Sequence, residues 1–462
     1  MMNLMKNILR VILSNLIMLT SSVVLGLILP IFLNVEDYGY YRLFLFYVGY
    51  VGVLHFGFND ALYIKYGGVN HSSINRQILR KEHRTFVKYQ LLISILILVI
   101  ALILKNIYII LFAIIIIPVN TGSFHKLFYQ ATGQFKRYSA ITIFYTIINL
   151  ILIGLLLVFK IYNPIYYILV TIVAYLIVFI KMEYDFMVFT KGVKTEGKVN
   201  IINYNKIGIF ILIGNLCVLF ISSTGSWFVQ FFMSMKDFAI YSFAVSMMNM
   251  ILLVVNAIGL TFYNYIAKKE EEDKLILVKE SLLVIGTLAG SLYFILKFIV
   301  TLFLPEYKQA LSIIAISFMT FPYIMIINVI VINLYKARKN ERRYLKVVVS
   351  ILFMGIVASM LIFSMLKSMT ALAAATLLTY IVWYIFSTSF EFKYLKGAIN
   401  EPIYLAIHII IFIITANNLS WYIGLLVYSI SMLILSILFN RKYFVNIFNI
   451  VIESFKQTTK SS

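Results

Sequence analysis

Several ionisable side chains stand inside or at the edge of segments that are otherwise apolar, and four of them are the main functional candidates: Arg42, His55, Asp60 and Lys297. A charged group in hydrocarbon is costly, so it needs water or a partner and often marks a substrate or ion path. A guanidinium or an ammonium in such a place can hold an anion such as a phosphate. A carboxylate there can take up and release a proton or a sodium ion, and we predict this ion-coupling role for Asp60.

Each of these residues also has a structural alternative. Asp60 could pair with nearby Lys65 at the inner interface of the membrane instead of facing a cavity. Lys297 stands eight residues before Pro305, and its long stem could carry the ammonium outward to the interface. His55 is equally compatible with a packed histidine and with a cavity residue.

Uncharged polar residues form stripes along corresponding apolar segments of the two halves of the chain. At about 100° per residue, these polar residues share one face of each predicted helix. We predict that Asn15, Asn215, Gln230 and Asn249 line a polar cavity. The competing interpretation is close helix packing, since small and polar residues let helices approach and hydrogen-bond across a bundle.

The composition indicates the class of protein that carries these residues. Hydrophobic residues make up 62% of the chain, charged residues 12%, and the mean hydropathy is +0.96. A soluble domain could not bury so much apolar surface, so we predict an all-α, polytopic membrane protein. The formal net charge of +21 comes from basic residues in short segments between apolar runs. That placement is typical of topology signals and argues against nucleic-acid binding.

Apolar runs long enough to cross a bilayer predict fourteen transmembrane helices. The predicted spans are 9–33, 43–64, 89–104, 107–127, 138–159, 164–182, 207–233, 240–266, 281–304, 310–334, 345–366, 370–392, 402–418 and 421–440. Most Lys and Arg residues fall in alternate connecting segments, which are cytoplasmic by the positive-inside rule. We therefore predict that both termini face the cytoplasm.

The chain carries an internal repeat with an offset of about 200 residues. Segment 32–41 reads F-L-N-V-E-D-Y-G-Y-Y, and segment 232–241 reads F-M-S-M-K-D-F-A-I-Y in the same setting. An even number of spans in each copy makes the repeats parallel. We predict three parts: a six-helix bundle at 1–200, a second at 201–396, and two further helices with an amphipathic tail at 397–462.

The sequence has none of the common motifs of soluble enzymes. It contains no H-E-x-x-H, no phosphate-binding G-x-x-x-x-G-K-[ST], and no cysteine pair, since Cys217 is the single cysteine. The predicted outer loops are too short to form a catalytic domain. We therefore predict that the protein is not an enzyme and uses no cofactor and no metal.

Four segments together resemble one family of membrane transporters. They are L-P-I-F-L-N-V-E-D-Y-G-Y-Y-R-L at 29–43, H-F-G-F-N-D-A-L-Y-I-K-Y at 55–66, F-Y-Q-A-T-G-Q-F-K-R-Y at 128–138 and F-L-P-E-Y-K-Q-A at 303–310. In order and spacing they resemble the Wzx-type polysaccharide flippases. Those proteins belong to the MOP superfamily, together with MATE multidrug exporters and lipid II flippases.

The resemblance implies two six-helix bundles around a central cavity that opens to either side by alternating access. It implies flipping of an undecaprenyl-diphosphate-linked oligosaccharide, such as an O-antigen or capsule repeat unit, across the bacterial cytoplasmic (inner) membrane, driven by an ion gradient or the membrane potential. Lys65 stands where the family often has a basic residue, so it joins the substrate-binding candidates. The implied partners are the lipid-linked glycan, the bilayer and other polysaccharide-assembly membrane proteins. A MATE-like small-molecule exporter and a membrane-embedded glycan enzyme are the alternatives.

Overall fold

The structure is a computed structural model that describes residues 17–18, 20–195, 199–266, 270–338 and 340–439. The candidate Asn15 and the predicted amphipathic tail lie outside the described residues. Within these ranges the chain is helical and contains no strand. The all-α class predicted from composition is therefore confirmed.

Eighteen α-helices follow one another along the described chain. They are α1 Thr20–Phe32, α2 Val35–Val48, α3 Phe58–Tyr66, α4 Arg76–Ile103, α5 Ile107–Ala131, α6 Phe135–Val158, α7 Pro164–Phe189, α8 Ile201–Phe232, α9 Met235–Ile266, α10 Glu272–Leu288, α11 Leu292–Phe303, α12 Ala310–Met319, α13 Phe321–Ile326, α14 Ile332–Ala337, α15 Glu341–Leu366, α16 Met369–Phe386, α17 Asn400–Asn418 and α18 Trp421–Phe439. Each predicted span coincides with one of these helices or with consecutive ones. For the first span, 9–33, the comparison covers only its described residues.

Length and composition identify the helices that can cross a membrane. Ten described helices, counting α10 with α11 as one, meet the criteria singly, and two bent pairs raise the number to twelve. The bent pairs are α2 with α3, at 64°, and α12 with the helix that follows it, at 49°. α1 is shorter in its described part. The protein is a multi-pass helical membrane protein.

The chain divides into two compact units, Met1–Cys217 and Val218–Ser462. The division falls inside α8, so this helix contributes its first half to the first unit and its second half to the second. The repeat boundaries at 200 and 396 that the sequence suggests stay predictions.

Asparagine side chains begin many of the helices. Asn34, Asn75, Asn106 and Asn163 stand directly before α2, α4, α5 and α7, and each accepts a hydrogen bond from a backbone N–H of the first turn. These side chains satisfy donors that the start of a helix leaves without partners. Polar capping at the ends of apolar runs therefore sets where the helices begin.

Aromatic side chains fill the interior of the first unit. Phe58, Phe86 and Phe124 are fully buried, with ring centroids 4.9 Å apart for Phe58 and Phe86 and 5.7 Å apart for Phe86 and Phe124. These rings join α3, α4 and α5. In a bilayer the lipid tails are as apolar as leucine, so close packing and hydrogen bonds, more than hydrophobic burial, hold such helices together.

Outward faces of the helices are apolar. On α4, Leu92, Leu96, Val99 and Ile103 are each at least half exposed, and they recur at helical spacing. A contiguous exposed apolar face of this kind suits contact with lipid. Several polar residues described below, among them Glu82, Gln90 and Asn120, are by contrast fully buried.

The second unit packs in the same manner and includes the last two helices. Gly286 of α10 lies against Pro322 at the start of α13, where a Cβ atom would come within 2.8 Å of the proline Cα. The rings of Phe294, Phe412 and Tyr428 join α11, α17 and α18. The two C-terminal helices are therefore packed components of this unit.

Candidate functional site

The second predicted span is broken where the sequence predicted a continuous helix. α2 ends at Val48, a 3₁₀ turn follows at Val51–His55, and α3 begins at Phe58. Phe56 and Gly57 between them have φ values of 47° and 84°. The left-handed region is costly for a residue with a Cβ atom, so Phe56 depends on its surroundings to hold it there.

Two buried amide side chains hold this break in place. Asn120 of α5 donates from Nδ2 to the carbonyl oxygen of Val51, at 3.1 Å, and to Oε1 of Gln90, at 2.7 Å. Gln90 of α4 donates in turn from Nε2 to the carbonyl oxygen of Leu54, at 3.1 Å. Non-helical backbone at membrane depth is tolerated only where it is buried in protein or lines water, because each unpaired group there costs several kcal/mol. The two amides therefore make the break possible.

A glycine pair brings α8 against the same break. A Cβ atom on Gly208 would lie 1.8 Å from the carbonyl oxygen of Gly57, and one on Gly57 would lie 2.5 Å from the carbonyl carbon of Gly208. Neither position has room for a side chain. α4, α5 and α8 thus enclose the turn between α2 and α3.

The break brings together two of the residues that the sequence singled out, His55 and Asp60. The N–H of Gly57 donates to Nδ1 of His55 at 3.1 Å, so the neutral ring carries its proton on Nε2. That Nε2 lies 3.9 Å from Oδ2 of Asp60. Oδ2 is enclosed and has no hydrogen-bond partner among the described residues. A small movement of either side chain would allow the proton on Nε2 to bridge the pair.

Lys65 has a different partner from the one that the sequence suggested. Its Nζ pairs with Oε1 of Glu82 and lies 2.8 Å from the hydroxyl of Tyr204, and the structure records no Lys65–Asp60 pair. The alternative in which Lys65 neutralises Asp60 is therefore wrong. The partner Glu82 lies between the predicted spans 43–64 and 89–104, and in the structure it belongs to α4.

Glu82 is fully buried, and both of its oxygens are satisfied. The hydroxyl of Tyr66 donates to Oε2 at 2.7 Å, and the hydroxyl of Tyr204 donates to Oε1 beside Lys65. A buried charge is stable only when it is paired and hydrogen-bonded in this way. The cluster joins α3, α4 and α8 at the C-terminal end of α3, which is the end away from the break.

The remaining candidates are distributed over both units. Arg42 is partly buried in α2, with its guanidinium carbon 6.0 Å from the centroid of the Tyr38 ring. Asn215 and Asn249 are exposed, whereas Gln230 is partly buried with an Oε1 atom that lacks a partner in the described part of the chain. The cavity role of these residues stays a prediction.

Lys297 is held by the end of a neighbouring helix. Its Nζ donates to the carbonyl oxygens of Ala416 and Leu419, at 2.6 and 2.8 Å. Carbonyl groups at a helix C-terminus carry partial negative charge, so an ammonium there stabilises the helix end. The structure thus gives Lys297 a packing role at the end of α17, and its substrate-binding role stays a prediction.

The second unit contains a buried ionic cluster that no pattern in the sequence predicts. Lys279 of α10 is 1% exposed and pairs with Glu401 of α17, while Oε1 of Glu280 lies 3.0 Å from its Nζ. The hydroxyl of Tyr384 in α16 donates to Glu401. Lys279 and Glu280 look like ordinary residues of a charged loop in the sequence, and Glu401 looks like the end of another. Only folding places them in one buried group.

The tenth span is also broken. α12 and the segment Phe321–Ala337 meet at 49°, and one turn of π-helix at Ile327–Val331 separates α13 from α14. Asn333 donates from Nδ2 to the carbonyl oxygens of Gly259 and Val329, at 2.8 and 2.9 Å. Each unit thus has an irregular span that a buried asparagine holds, Asn120 in the first and Asn333 in the second.

Broken spans with buried polar groups are typical of the binding regions of membrane transporters. The fold is that of a multi-pass helical membrane protein and, among the described residues, has one sharply bent span in each unit.

No protein-family model matches the chain, and no curated protein matches it either. Its structure is similar to that of the lipid II flippase MurJ in an inward closed conformation. The TM-score is 0.67 at 11% sequence identity, over 95% of this chain and 99% of that one. The chain therefore has the fold of this flippase.

Two further solved structures show weaker similarity. A MOP superfamily transporter from Pyrococcus furiosus has a TM-score of 0.46 at 11% identity, over 85% of this chain and 97% of that one. A MATE protein in complex with Br-NRF has a TM-score of 0.36 at 12% identity, over 85% of this chain and 94% of that one.

Proposed function

We propose that the protein flips an undecaprenyl-diphosphate-linked oligosaccharide repeat unit across the cytoplasmic membrane by alternating access. The observation that carries the proposal is the shared fold with a lipid II flippase, which extends over nearly the whole of both chains. The four sequence segments that resemble polysaccharide flippases support the same substrate class independently.

The chemistry of the substrate fits the kind of residues present. A diphosphate and a glycan cannot cross hydrocarbon unaided, so a flippase needs an enclosed polar path with cations for the phosphates. Arg42 is the candidate cation in the first unit, because a guanidinium can engage phosphate oxygens in a fork. Lys297 is the candidate in the second unit, where it would have to leave the carbonyl groups that it now contacts.

The proposed coupling site is the His55–Asp60 pair at the break of the second span. Its enclosed carboxylate oxygen lies beside an imidazole N–H, so the pair can take up a proton or a small cation. Ion uptake at the turn between α2 and α3 would favour one arrangement of the break over another. Such a change would couple an ion gradient to movement of the span.

The test is rescue of two bacterial strains by the full-length chain. One strain lacks its polysaccharide flippase, and the other is depleted of its lipid II flippase. We expect surface polysaccharide to return in the first strain and growth not to return in the second. Arg42→Ala should reduce export more than Arg42→Lys, because the ammonium retains a point charge.

Three outcomes would overturn the proposal. Absence of rescue in the first strain, with the protein present in the membrane fraction, would exclude the polysaccharide substrate. Rescue of the second strain alone would assign lipid II as the substrate. Increased drug resistance without polysaccharide export would indicate a small-molecule exporter.

A further inference from the structure

Two histidines and a glutamate from three different helices converge in the first unit. Nε2 of His83 in α4 and Nε2 of His125 in α5 each lie 2.8 Å from the same oxygen, Oε1 of Glu183 in α7. All three potential ligand atoms lie within 4.8 Å of one another. We propose that His83, His125 and Glu183 form a binding site for a divalent transition-metal cation of the Zn²⁺ class.

Helix register explains why these residues meet. His83 lies seven residues after the start of α4, while His125 and Glu183 each lie six residues before the ends of α5 and α7. At the helical rise these offsets place all three about 10 Å from their helix ends. Because α5 and α7 end on the side where α4 begins, the three side chains reach the same depth.

The donor set suits zinc. Two imidazole nitrogens and one carboxylate oxygen are ligands that Zn²⁺ takes, and three protein ligands leave a fourth tetrahedral position for water. Ligand atoms at tetrahedral zinc stand about 3.4 Å apart, given Zn–N and Zn–O distances of about 2.1 Å. Each histidine nitrogen, now 2.8 Å from Oε1, would therefore withdraw from it by about half an ångström. The two nitrogens, which lie within 4.8 Å of each other, would settle at the same tetrahedral separation through side-chain rotation.

The three-residue site is covered by apolar side chains on one side and is accessible to solvent on the other. The rings of Phe124 and Phe186 lie 5.3 and 4.4 Å from that of His83, centroid to centroid, and form an apolar wall. The side chains of His83 and His125 are 8% and 1% exposed, whereas that of Glu183 is 18% exposed. A cation can thus reach the site past Glu183 and then lie against a low-dielectric wall.

The metal would join α4, α5 and α7 and would exchange with solution. Nδ1 of His125 is buried and has no hydrogen-bond partner among the described residues. Metal-binding histidines usually donate that N–H to a neighbour, and loss of such a bond weakens affinity about 10–100-fold. A bound metal would therefore exchange with solution. It would join α7 to α4 and α5, the two helices that also hold the break through Gln90 and Asn120.

The experiment uses the purified full-length chain in detergent after metal removal. We expect one equivalent of Zn²⁺ per chain by equilibrium dialysis, and a visible absorption band from bound Co²⁺ that Zn²⁺ abolishes. His83→Gln, His125→Gln and Glu183→Gln should each lose the stoichiometric binding and the cobalt band. His71→Gln and His408→Gln are matched controls outside the cluster and should keep both signals.

A second measurement on the unaltered chain covers the case in which a variant fails to fold. Zn²⁺ should slow the modification of His83 and His125 by diethyl pyrocarbonate several-fold, read by mass spectrometry of peptides, with His71 unaffected. Absence of stoichiometric Zn²⁺ and Co²⁺ binding by the unaltered chain would overturn the proposal. Binding that survives in all three folded variants, or no protection of the two histidines, would also overturn it.

Discussion

The side-chain amide of Asn120 donates to the carbonyl oxygen of Val51 across 3.1 Å and joins α5 to the break in the second span. The same amide group reaches Gln90, which holds the carbonyl of Leu54. One asparagine thus supports a non-helical turn in a segment that would otherwise have to remain helical in lipid.

Asn120→Leu should therefore destabilise the protein. The change removes both donors of the amide and leaves buried acceptors unpaired, at a cost of about 1–3 kcal/mol for each acceptor. The measurement is the midpoint of thermal unfolding in detergent. Asn149→Leu is the control, because Asn149 is buried and its Oδ1 has no partner in the described part of the chain. Equal midpoints for the two variants would contradict the role of Asn120.

Gly208→Ala should disrupt the packing of α8 on the break. The new Cβ atom would overlap the carbonyl oxygen of Gly57, and a backbone atom cannot move aside as a flexible side chain can. Gly154→Ala is the matched control, since nothing lies within 4 Å of its Cβ position. The control should gain up to about 1 kcal/mol from helix propensity. Thermal unfolding of both variants measures the difference, and an unchanged Gly208→Ala would refute the close approach.

Glu82→Gln should lower stability although the side chain keeps its size. The carboxylate accepts hydrogen bonds from Tyr66, Tyr204 and Lys65. The NH₂ group of a glutamine cannot accept, so at least one of these three hydrogen bonds would be lost. Hydrogen bonds to a charged group contribute about 1.5–3 kcal/mol each, so the loss should exceed that of Tyr66→Phe. Glu36→Gln, at an exposed position, provides the baseline. Chemical unfolding of the four proteins gives the comparison.

Asp60→Asn should uncouple transport from its driving gradient. The variant keeps the shape of the side chain and removes the group that binds a proton or cation beside His55. Export in the rescued strain should fall and should no longer respond to collapse of the ion gradient. Glu36→Gln should keep the full response. Normal, gradient-dependent export by Asp60→Asn would exclude the residue from coupling.

The Glu270–Arg338 pair outside the spans should give a pH-dependent contribution to stability. Hydrogen bonds from Arg338, at 2.5 and 3.1 Å, hold the pKa of Glu270 below its ordinary value of 4.5. A lowered folded-state pKa stabilises the fold above pH 4.5, and this contribution disappears as the pH falls through the folded-state value.

Glu270→Gln should therefore unfold at a lower temperature than the unaltered protein at pH 7, and the gap should close as the pH falls below 4.5. Thermal midpoints across this pH range measure the effect, with exposed Glu341→Gln as the control. If the difference in thermal midpoint between the two proteins stays constant with pH, the charge of Glu270 does not contribute to stability.

Composition and the spacing of apolar runs determined the class and the helix positions. A segment of about 20 apolar residues has few alternatives in a bilayer, because its backbone groups must pair within the segment. The predicted spans at 107–127 and 164–182 accordingly fall within α5 and α7. The ionisable residues Arg42, His55 and Asp60 could be recognised in the sequence for the same reason, since each interrupts an apolar run.

The tertiary structure alone decided which polar groups meet. Asn120 lies 69 residues from Val51 and 30 from Gln90, and Glu183 lies 100 and 58 residues from the histidines that it contacts. No local pattern links such positions, because their contacts depend on how helices pack and on the depth at which each helix ends. The sequence could therefore place the spans and their charges, whereas the break in the second span, the partner of Lys65 and the His83–His125–Glu183 cluster follow from the packing of separate helices.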